Sequence, residues 1–125
     1  MNGYNPTPAS TLKADLLKQL TESMGEFAAE MAVDLLPIYL EDAPGIIDQM
    51  TSSIQSDNAD DLREYAHALK GSSANMGFRQ MVNLALELEI MGKTGEVEKQ
   101  ISSIKMQYIQ QEMMQIQQMV QEYFS

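Results

Sequence analysis

Residues 62–77 read LREYAHALKGSSANMG, and this stretch decides the fold. Small and apolar residues recur around it every three or four positions, at Ala59, Leu62, Ala66, Leu69, Ser73 and Met76. That spacing is typical of the buried face of an α-helix. Gly77 follows directly, and glycine commonly ends a helix. We therefore predict a helix that begins after a cap at Asp57 or Asn58 and ends near Met76.

The rest of the chain carries the same helical signal. Leu, Met, Ala, Gln and Glu dominate, and no proline follows Pro44. Further helices are predicted from Ser10 or Thr11 to Gly25, from near Glu26, from Asp42, from Phe78 to Gly92, and from Glu96 to Tyr123. Short connections make the last three helices antiparallel neighbours. The predicted fold is all-α, an antiparallel four-helix bundle with an additional short N-terminal helix.

Two segments before residue 45 carry particular expectations. Residues 1–10 are rich in Pro, Asn and Gly and are predicted to form a flexible N-terminal arm, which leaves 11–125 as the bundle domain. In the second helix the large residues Phe27, Met31, Leu35 and Tyr39 repeat at helical spacing. Pro37 falls inside that repeat and predicts a kink or a break. Asp42 then caps a new helix with Pro44 in its first turn.

Composition excludes several classes of function. The 125 residues include no cysteine and one histidine, so thiolate metal sites and sites with two histidines are excluded. Eighteen acidic residues against eight basic ones give a net charge of −10, which repels nucleic acid and anionic membranes. No signal peptide or membrane span is visible. We expect a cytoplasmic protein, and nothing in the sequence requires more than a monomer.

His67 is the one histidine, and the helical pattern points it away from the core. It lies roughly 130° from the centre of the apolar stripe. Gly71 follows one turn later on the same face, where glycine costs roughly 1 kcal/mol relative to alanine. Close approach of another molecule to the imidazole would account for that glycine. Lys70 places a cation beside any anion attached to the ring. The alternative is an ordinary surface histidine.

Glu64 and His67 have the Glu-x-x-His spacing of half a di-iron carboxylate site. The other half requires a second histidine, which the chain lacks, and a zinc site would depend on carboxylates almost alone. A nucleophilic serine would need a pocket and an oxyanion hole, for which the sequence has no signature. We therefore expect no metal site and no cofactor in this chain.

Residues 66–77, AHALKGSSANMG, resemble the signature of histidine-containing phosphotransfer domains of bacterial multistep phosphorelays. That signature is a histidine, any residue, Leu, Lys, Gly, small residues, and a glycine ten positions after the histidine. Residues 39–44, YLEDAP, resemble the acidic stretch of the family, and residues 88–92, LEIMG, resemble its Leu-Glu-x-x-Gly ending. The resemblance covers about residues 12–124. Met-Gly-Phe at residues 76–78 replaces the more usual Leu-Gly-Ala.

The resemblance implies a covalent phosphorelay intermediate that is not an enzyme and binds no ATP. His67 would accept a phosphoryl group from a receiver-domain aspartate and pass it to another receiver aspartate. Lys70 would supply charge, Gly71 would give access, and the receiver of a hybrid sensor kinase or response regulator would supply Mg²⁺. We expect apolar side chains from the first two helices, such as those near Leu12 to Leu20, to form the rim of the docking surface. The main alternative is a helical adaptor that binds proteins without chemistry.

Glu89 is predicted to lie beside His67. The histidine lies 11 residues before Phe78 and the glutamate 11 after it, and equal rise in two antiparallel helices puts them at the same height. The helix around Glu89 is largely apolar, so a carboxylate at its seam needs a partner. In the family that the chain resembles, this position is often a glutamine that bonds the histidine. We predict that Glu89 accepts a hydrogen bond from His67 Nδ1–H and leaves Nε2 free as the nucleophile. The alternative is a solvated glutamate.

Overall fold

The computed structural model describes residues 3–125, and within that range the chain forms five α-helices and no strand. The helices are α1 (Ala9–Met24), α2 (Ala28–Gln55), α3 (Ala59–Asn75), α4 (Arg79–Thr94) and α5 (Lys99–Tyr123). One turn of 3-10 helix, Gly25–Phe27, joins α1 to α2. The predicted all-α class is confirmed.

Helices α2 to α5 form the bundle. Their connections are residues 56–58, 76–78 and 95–98, which are short enough to make consecutive helices antiparallel. Helix α2 packs on α3, α3 on α4, α4 on α5, and α5 back on α2. Helix α1 packs against α2 and α5. The prediction of an antiparallel four-helix bundle with an additional N-terminal helix is therefore confirmed.

Helix α3 buries the stripe that the sequence predicts. Its fully buried residues are Leu62, Ala66, Leu69 and Ser73. Each buried leucine contributes about 1.5–3 kcal/mol, which fixes the rotation of the helix about its axis. Asn58 fixes where the helix begins, because its side-chain oxygen accepts a hydrogen bond from the Asp61 backbone N–H at 3.0 Å. The outward direction of His67 follows from these two constraints.

Helix α2 corrects two of the predictions made for this region, the break at Pro37 and the new helix capped by Asp42. It continues for 28 residues through Pro37 and Pro44, so the chain does not break at Pro37 and Asp42 does not cap a new helix. Each proline costs about 3 kcal/mol in a helix interior. The buried face of α2 crosses both positions through Ala32, Leu36, Tyr39, Ala43, Ile47 and Met50. Each large side chain on this face contributes about 1.5–3 kcal/mol, so continuous packing outweighs the two prolines.

The buried face of α2 includes Tyr39 as predicted but lies one residue away from the first three positions of the predicted repeat. Ala28 and Ala32 are buried, whereas Phe27 is 55% exposed and Met31 and Leu35 are only partly buried. Alanines allow close packing between helices, which a search for large apolar residues does not detect. Several larger side chains at the start of α2 are consequently left at the surface.

The two ends of the α4–α5 connection also differ from the prediction. Helix α4 continues to Thr94 rather than ending at Gly92, and Gly95 provides the left-handed residue that ends it, with φ of 76°. Helix α5 begins at Lys99 rather than near Glu96. Its start is set by Glu98, whose carboxylate accepts two backbone N–H groups at 2.9 Å.

Residues 3–8 lie against the bundle, whereas the sequence predicts a flexible arm over 1–10, of which residues 1 and 2 lie outside the described residues. The Tyr4 hydroxyl donates a hydrogen bond to Glu112 Oε1 at 2.8 Å. The Thr7 backbone N–H donates to the same oxygen at 3.1 Å. These partners are more than 100 positions apart in the sequence, so local composition could not reveal the contacts.

Candidate functional site

His67 lies in the middle of α3 and projects into solvent. Its side chain is 68% exposed, which confirms the orientation predicted from the apolar stripe. The imidazole is therefore accessible to a second molecule while the helix that carries it is fixed by a buried face. An exposed ring on a rigid element is the arrangement that a nucleophilic histidine requires.

Glu89 on α4 contacts the imidazole. Its Oε2 lies 2.8 Å from His67 Nδ1, which confirms the predicted contact between the two helices. A carboxylate oxygen only accepts hydrogen bonds, so Nδ1 carries the proton in this contact. In the neutral ring Nε2 is then the nitrogen with the free lone pair. The geometry thus leaves the outer ring nitrogen available for chemistry.

Lys70 contacts the second oxygen of the same carboxylate. Its Nζ lies 2.6 Å from Glu89 Oε1, and the lysine side chain is only 28% exposed. The sequence placed Lys70 beside the ring but did not predict this ion pair. Spacing places Lys70 near the α3–α4 seam, but it does not show which side-chain conformation the lysine adopts.

The ion pair favours the ionised form of Glu89. The Lys70 ammonium is the largest influence and lowers the pKa of this carboxyl, and the hydrogen bond from His67 lowers it further. Partial burial opposes both effects. With its pKa below the ordinary value, Glu89 is an anion at neutral pH and a strong acceptor for the ring N–H.

Gly71 leaves open space one turn beyond His67. A Cβ built at this position meets nothing within 4 Å among the described residues. Packing within residues 3–125 therefore gives no reason for glycine here. We call His67, Lys70, Gly71 and Glu89 the histidine face.

Gly92, unlike Gly71, is required by packing within the bundle. A Cβ at this position would lie 2.6 Å from the backbone nitrogen of Arg63 and 2.7 Å from the carbonyl oxygen of Ala59. Glycine therefore allows α4 to approach the first turns of α3 closely. Glu89 lies one turn before Gly92 and His67 one turn after Arg63, so this close contact holds the two site residues at the same height.

An apolar groove of about 440 Å³ lies among α1, α2 and α3. Its lining includes Met24, Met31, Leu35 and Ile38 on one side and Ser72 and Asn75 of α3 on the other. Ile38 is 54% exposed and Met24 is 41% exposed. The groove reaches the part of α3 that follows Gly71, so a molecule seated in it would also lie near the histidine face.

The groove is lined largely by the first two helices, from which the docking rim is predicted to come. The leucines named as examples are a poorer choice, because Leu12, Leu16 and Leu20 are buried at 1% exposure or less and only Leu20 also lines the groove. Helix α1 turns these leucines inward because they are its main apolar stripe. The exposed apolar side chains of the groove come from the end of α1 and the first half of α2, where buried alanines displace larger residues outward.

The described residues contain neither a metal-binding cluster nor a membrane-spanning helix. No group of three or more His, Cys, Asp or Glu within 3–125 could hold a metal ion. No helix in that range is both long and apolar enough to cross a membrane.

Comparison with known proteins gives one match. The family model of the Hpt domain matches residues 34–123, which include the whole of the histidine face. No curated protein matches the chain, and no solved structure does.

Proposed function

This chain belongs to the Hpt domain family, and on that premise we propose that it is a phosphorelay intermediate phosphorylated on His67. Hpt domains have a histidine phosphotransfer role in phosphorelays and interact with receiver domains of response regulators. His67 would accept the phosphoryl group from a receiver aspartate and pass it to the aspartate of another receiver. The observation that carries this proposal is the exposed imidazole whose Nδ1 is held 2.8 Å from Glu89.

The first transfer needs no catalytic group beyond a positioned nucleophile on this side of the complex. The Nε2 lone pair attacks the phosphorus of the aspartyl phosphate. The bond from phosphorus to the aspartyl oxygen breaks, and the carboxylate leaves with the bonding electrons. The imidazole keeps its Nδ1 proton and takes on positive charge, which the Glu89 carboxylate offsets. Transfer to a second receiver aspartate reverses these changes and restores neutral His67.

The remaining parts of the reaction are divided between the partners. Gly71 gives the receiver room to reach Nε2, and the adjacent apolar groove offers Ile38 and its neighbours as the docking surface. Mg²⁺ and the acidic pocket around the phosphorylated aspartate would come from the receiver. On this division of labour the chain is a carrier of the phosphoryl group that binds no nucleotide.

The test is transfer of label from receiver domains carrying ³²P on their aspartate. We expect label on the wild-type chain that resists base and is lost in acid, as phosphoramidates are. His67→Gln should take up none. Label retained in His67→Gln would contradict the assignment of the residue.

The alternative function, a helical adaptor without chemistry, is favoured by the size of the apolar groove alone. It predicts that receivers bind wild type and His67→Gln equally well and that no receiver of the source organism transfers label to either. That combination would replace the phosphorelay proposal with the adaptor.

A further inference from the structure

One carboxylate in the histidine face contacts two partners, an imidazole and an ammonium group. Glu89 uses Oε2 for His67 Nδ1 at 2.8 Å and Oε1 for Lys70 Nζ at 2.6 Å. Each oxygen therefore has its own partner, and the lysine does not compete with the ring for the same acceptor. Glu89 is 16% exposed and Lys70 is 28% exposed, so solvent screens this pair less than a fully exposed one.

A carboxylate at this position has an electrostatic disadvantage for phosphoryl transfer. It supplies a strong acceptor for Nδ1–H and offsets the positive charge that the ring takes on, but without a counter-ion it also places a negative charge across the ring from the nitrogen that must accept an anionic phosphoryl group. Like charges that share a site repel, and partial burial strengthens the repulsion. A glutamine side chain would accept the same hydrogen bond without that charge. A glutamate therefore needs a counter-ion that does not disturb the ring contact.

Lys70 meets this requirement. Its ammonium group forms an ion pair with the buried Oε1 of Glu89, and this lysine is the largest influence that lowers the pKa of the carboxyl. Other charges one turn away along the two helices are Arg63 and Glu64, before His67, and Lys93, after Glu89. None of the three forms an ion pair with another residue in the range 3–125.

We propose that Lys70 promotes phosphorylation of His67 through Glu89, as the counter-ion that cancels the charge of the ring acceptor, rather than by binding the phosphoryl group itself. The proposal rests on the phosphorelay function inferred above. It makes Lys70 a positioning residue whose importance depends on the presence of a carboxylate at residue 89. If Lys70 instead bound the phosphoryl group directly, its importance would not depend on residue 89.

A double-mutant cycle separates these two roles. The variants are Lys70→Met, which keeps most of the length of the side chain without its charge, Glu89→Gln, which keeps the acceptor without its charge, and the combination of both. The phosphoryl donor is phosphoramidate, so that no receiver is needed. In this reaction Nε2 attacks phosphorus, the P–N bond breaks and ammonia leaves with the bonding electrons. The ring keeps its Nδ1 proton and becomes cationic.

We expect Lys70→Met to slow phosphorylation about tenfold in the wild-type background, the effect of roughly one uncompensated charge near the site. In the Glu89→Gln background the same change should slow it by less than about twofold. An equal slowing in both backgrounds would overturn the proposal and assign Lys70 a direct contact with the phosphoryl group. A Lys70→Arg rate as slow as that of Lys70→Met would also overturn it, because the charge is retained.

A second measurement excludes a merely structural effect. The carboxyl carbon of Glu89 is followed by NMR as a function of pH, and its midpoint should rise in Lys70→Met. An unchanged midpoint would show that Lys70 does not compensate Glu89 and would reject the proposal. Because phosphoramidate replaces the receiver, the cycle can be read even if no receiver transfers label, and failure of the phosphorelay proposal would be recognised separately.

Discussion

Two glutamates of this chain accept hydrogen bonds from distant residues, and they do so in opposite surroundings. Glu112 on α5 is fully buried, and its Oε1 accepts from the Tyr4 hydroxyl, the Thr7 backbone N–H and the Gln80 amide at 2.8–3.1 Å. Each glutamate has one buried oxygen that forms no hydrogen bond within the described residues, Oε2 of Glu112 and Oε1 of Glu89, but in Glu89 that oxygen lies 2.6 Å from the Lys70 ammonium. Glu89 lies near the surface, and each of its oxygens contacts a group that is or can become a cation.

The difference lies in the chemistry of the partners. The donors around Glu112 are neutral and come from the N-terminal segment and α4, so this cluster ties two parts of the chain together. We call Tyr4, Thr7, Gln80 and Glu112 the arm anchor. Burial and the hydrogen bond to Glu112 raise the pKa of Tyr4, which keeps its hydroxyl protonated as a donor. In the histidine face, Glu89 contacts the ring of His67, which changes charge during the proposed reaction. The histidine face is also open to solvent.

The largest expected effect is the loss of phosphorylation in His67→Gln. The substitution removes the nucleophile, so both receiver and phosphoramidate labelling should be abolished. An exposed residue contributes little to the core, and the free energy of unfolding should stay within about 0.5 kcal/mol of wild type. Acid-labile label and urea unfolding measure the two outcomes. Loss of folding in this variant would show that the histidine face carries stability, which would break the comparison with the arm anchor.

Gly71→Leu should have the next largest effect, and only on transfer from a receiver. A leucine one turn from His67 would occupy the space that the partner needs, and we expect at least about a tenfold slower transfer. Phosphoramidate is small, so labelling by it should be nearly unchanged. Gly71→Ala is the matched control.

The stability of Gly71→Leu shows whether slower transfer comes from a blocked approach rather than from a damaged fold. Its free energy of unfolding should equal that of wild type or be up to about 1 kcal/mol higher, because the new side chain meets nothing within residues 3–125 and glycine is a poor helix former. Normal transfer from the receiver in Gly71→Leu would show that the partner approaches from another side.

Substitutions in the arm anchor should lower stability and leave phosphorylation unchanged, which is the reverse of the pattern expected for the histidine face. Glu112→Ala leaves buried donors without an acceptor, and we expect a loss of about 1–3 kcal/mol in the free energy of unfolding. Phosphoramidate labelling of His67 should be unchanged while the protein remains folded. The matched variant Glu89→Ala should lose less stability but alter labelling. Urea unfolding measures the stability of both variants, and the rate of phosphoramidate labelling measures phosphorylation. Equal stability losses in the two variants would remove the distinction between the two glutamates.

The smallest expected effect is the pH dependence of the Glu89 ion pair. The folded-state pKa of Glu89 lies below its ordinary value of 4.5, so its ionised form stabilises the fold at neutral pH. This contribution is lost as the pH falls through the folded-state pKa. Wild type should therefore be slightly more stable than Glu89→Gln at pH 7, and the difference should narrow from about pH 5 downward. A difference that widens in acid would contradict the assigned charge state.

Several features of the site could be predicted from the sequence because they depend on one helix or on two consecutive ones. The apolar stripe of α3 places His67 outward whatever surrounds it. The positions of His67 and Glu89 relative to the turn at Phe78 give their common height, since two antiparallel helices rise equally. The Lys70–Glu89 ion pair was missed because spacing alone gives no side-chain conformation.

The features that only the tertiary structure decided all depend on energies summed over distant contacts. Helix α2 passes through Pro37 because packing along its whole face exceeds the local cost. The face of α2 is set by where alanines permit close approach, so large apolar residues remain in the groove. Residues 3–8 find their partners on α4 and α5 in space rather than in sequence. Gly71 and Gly92 are the same residue type in neighbouring helices, yet one leaves open space and the other permits contact, because only the fold determines what lies opposite each of them.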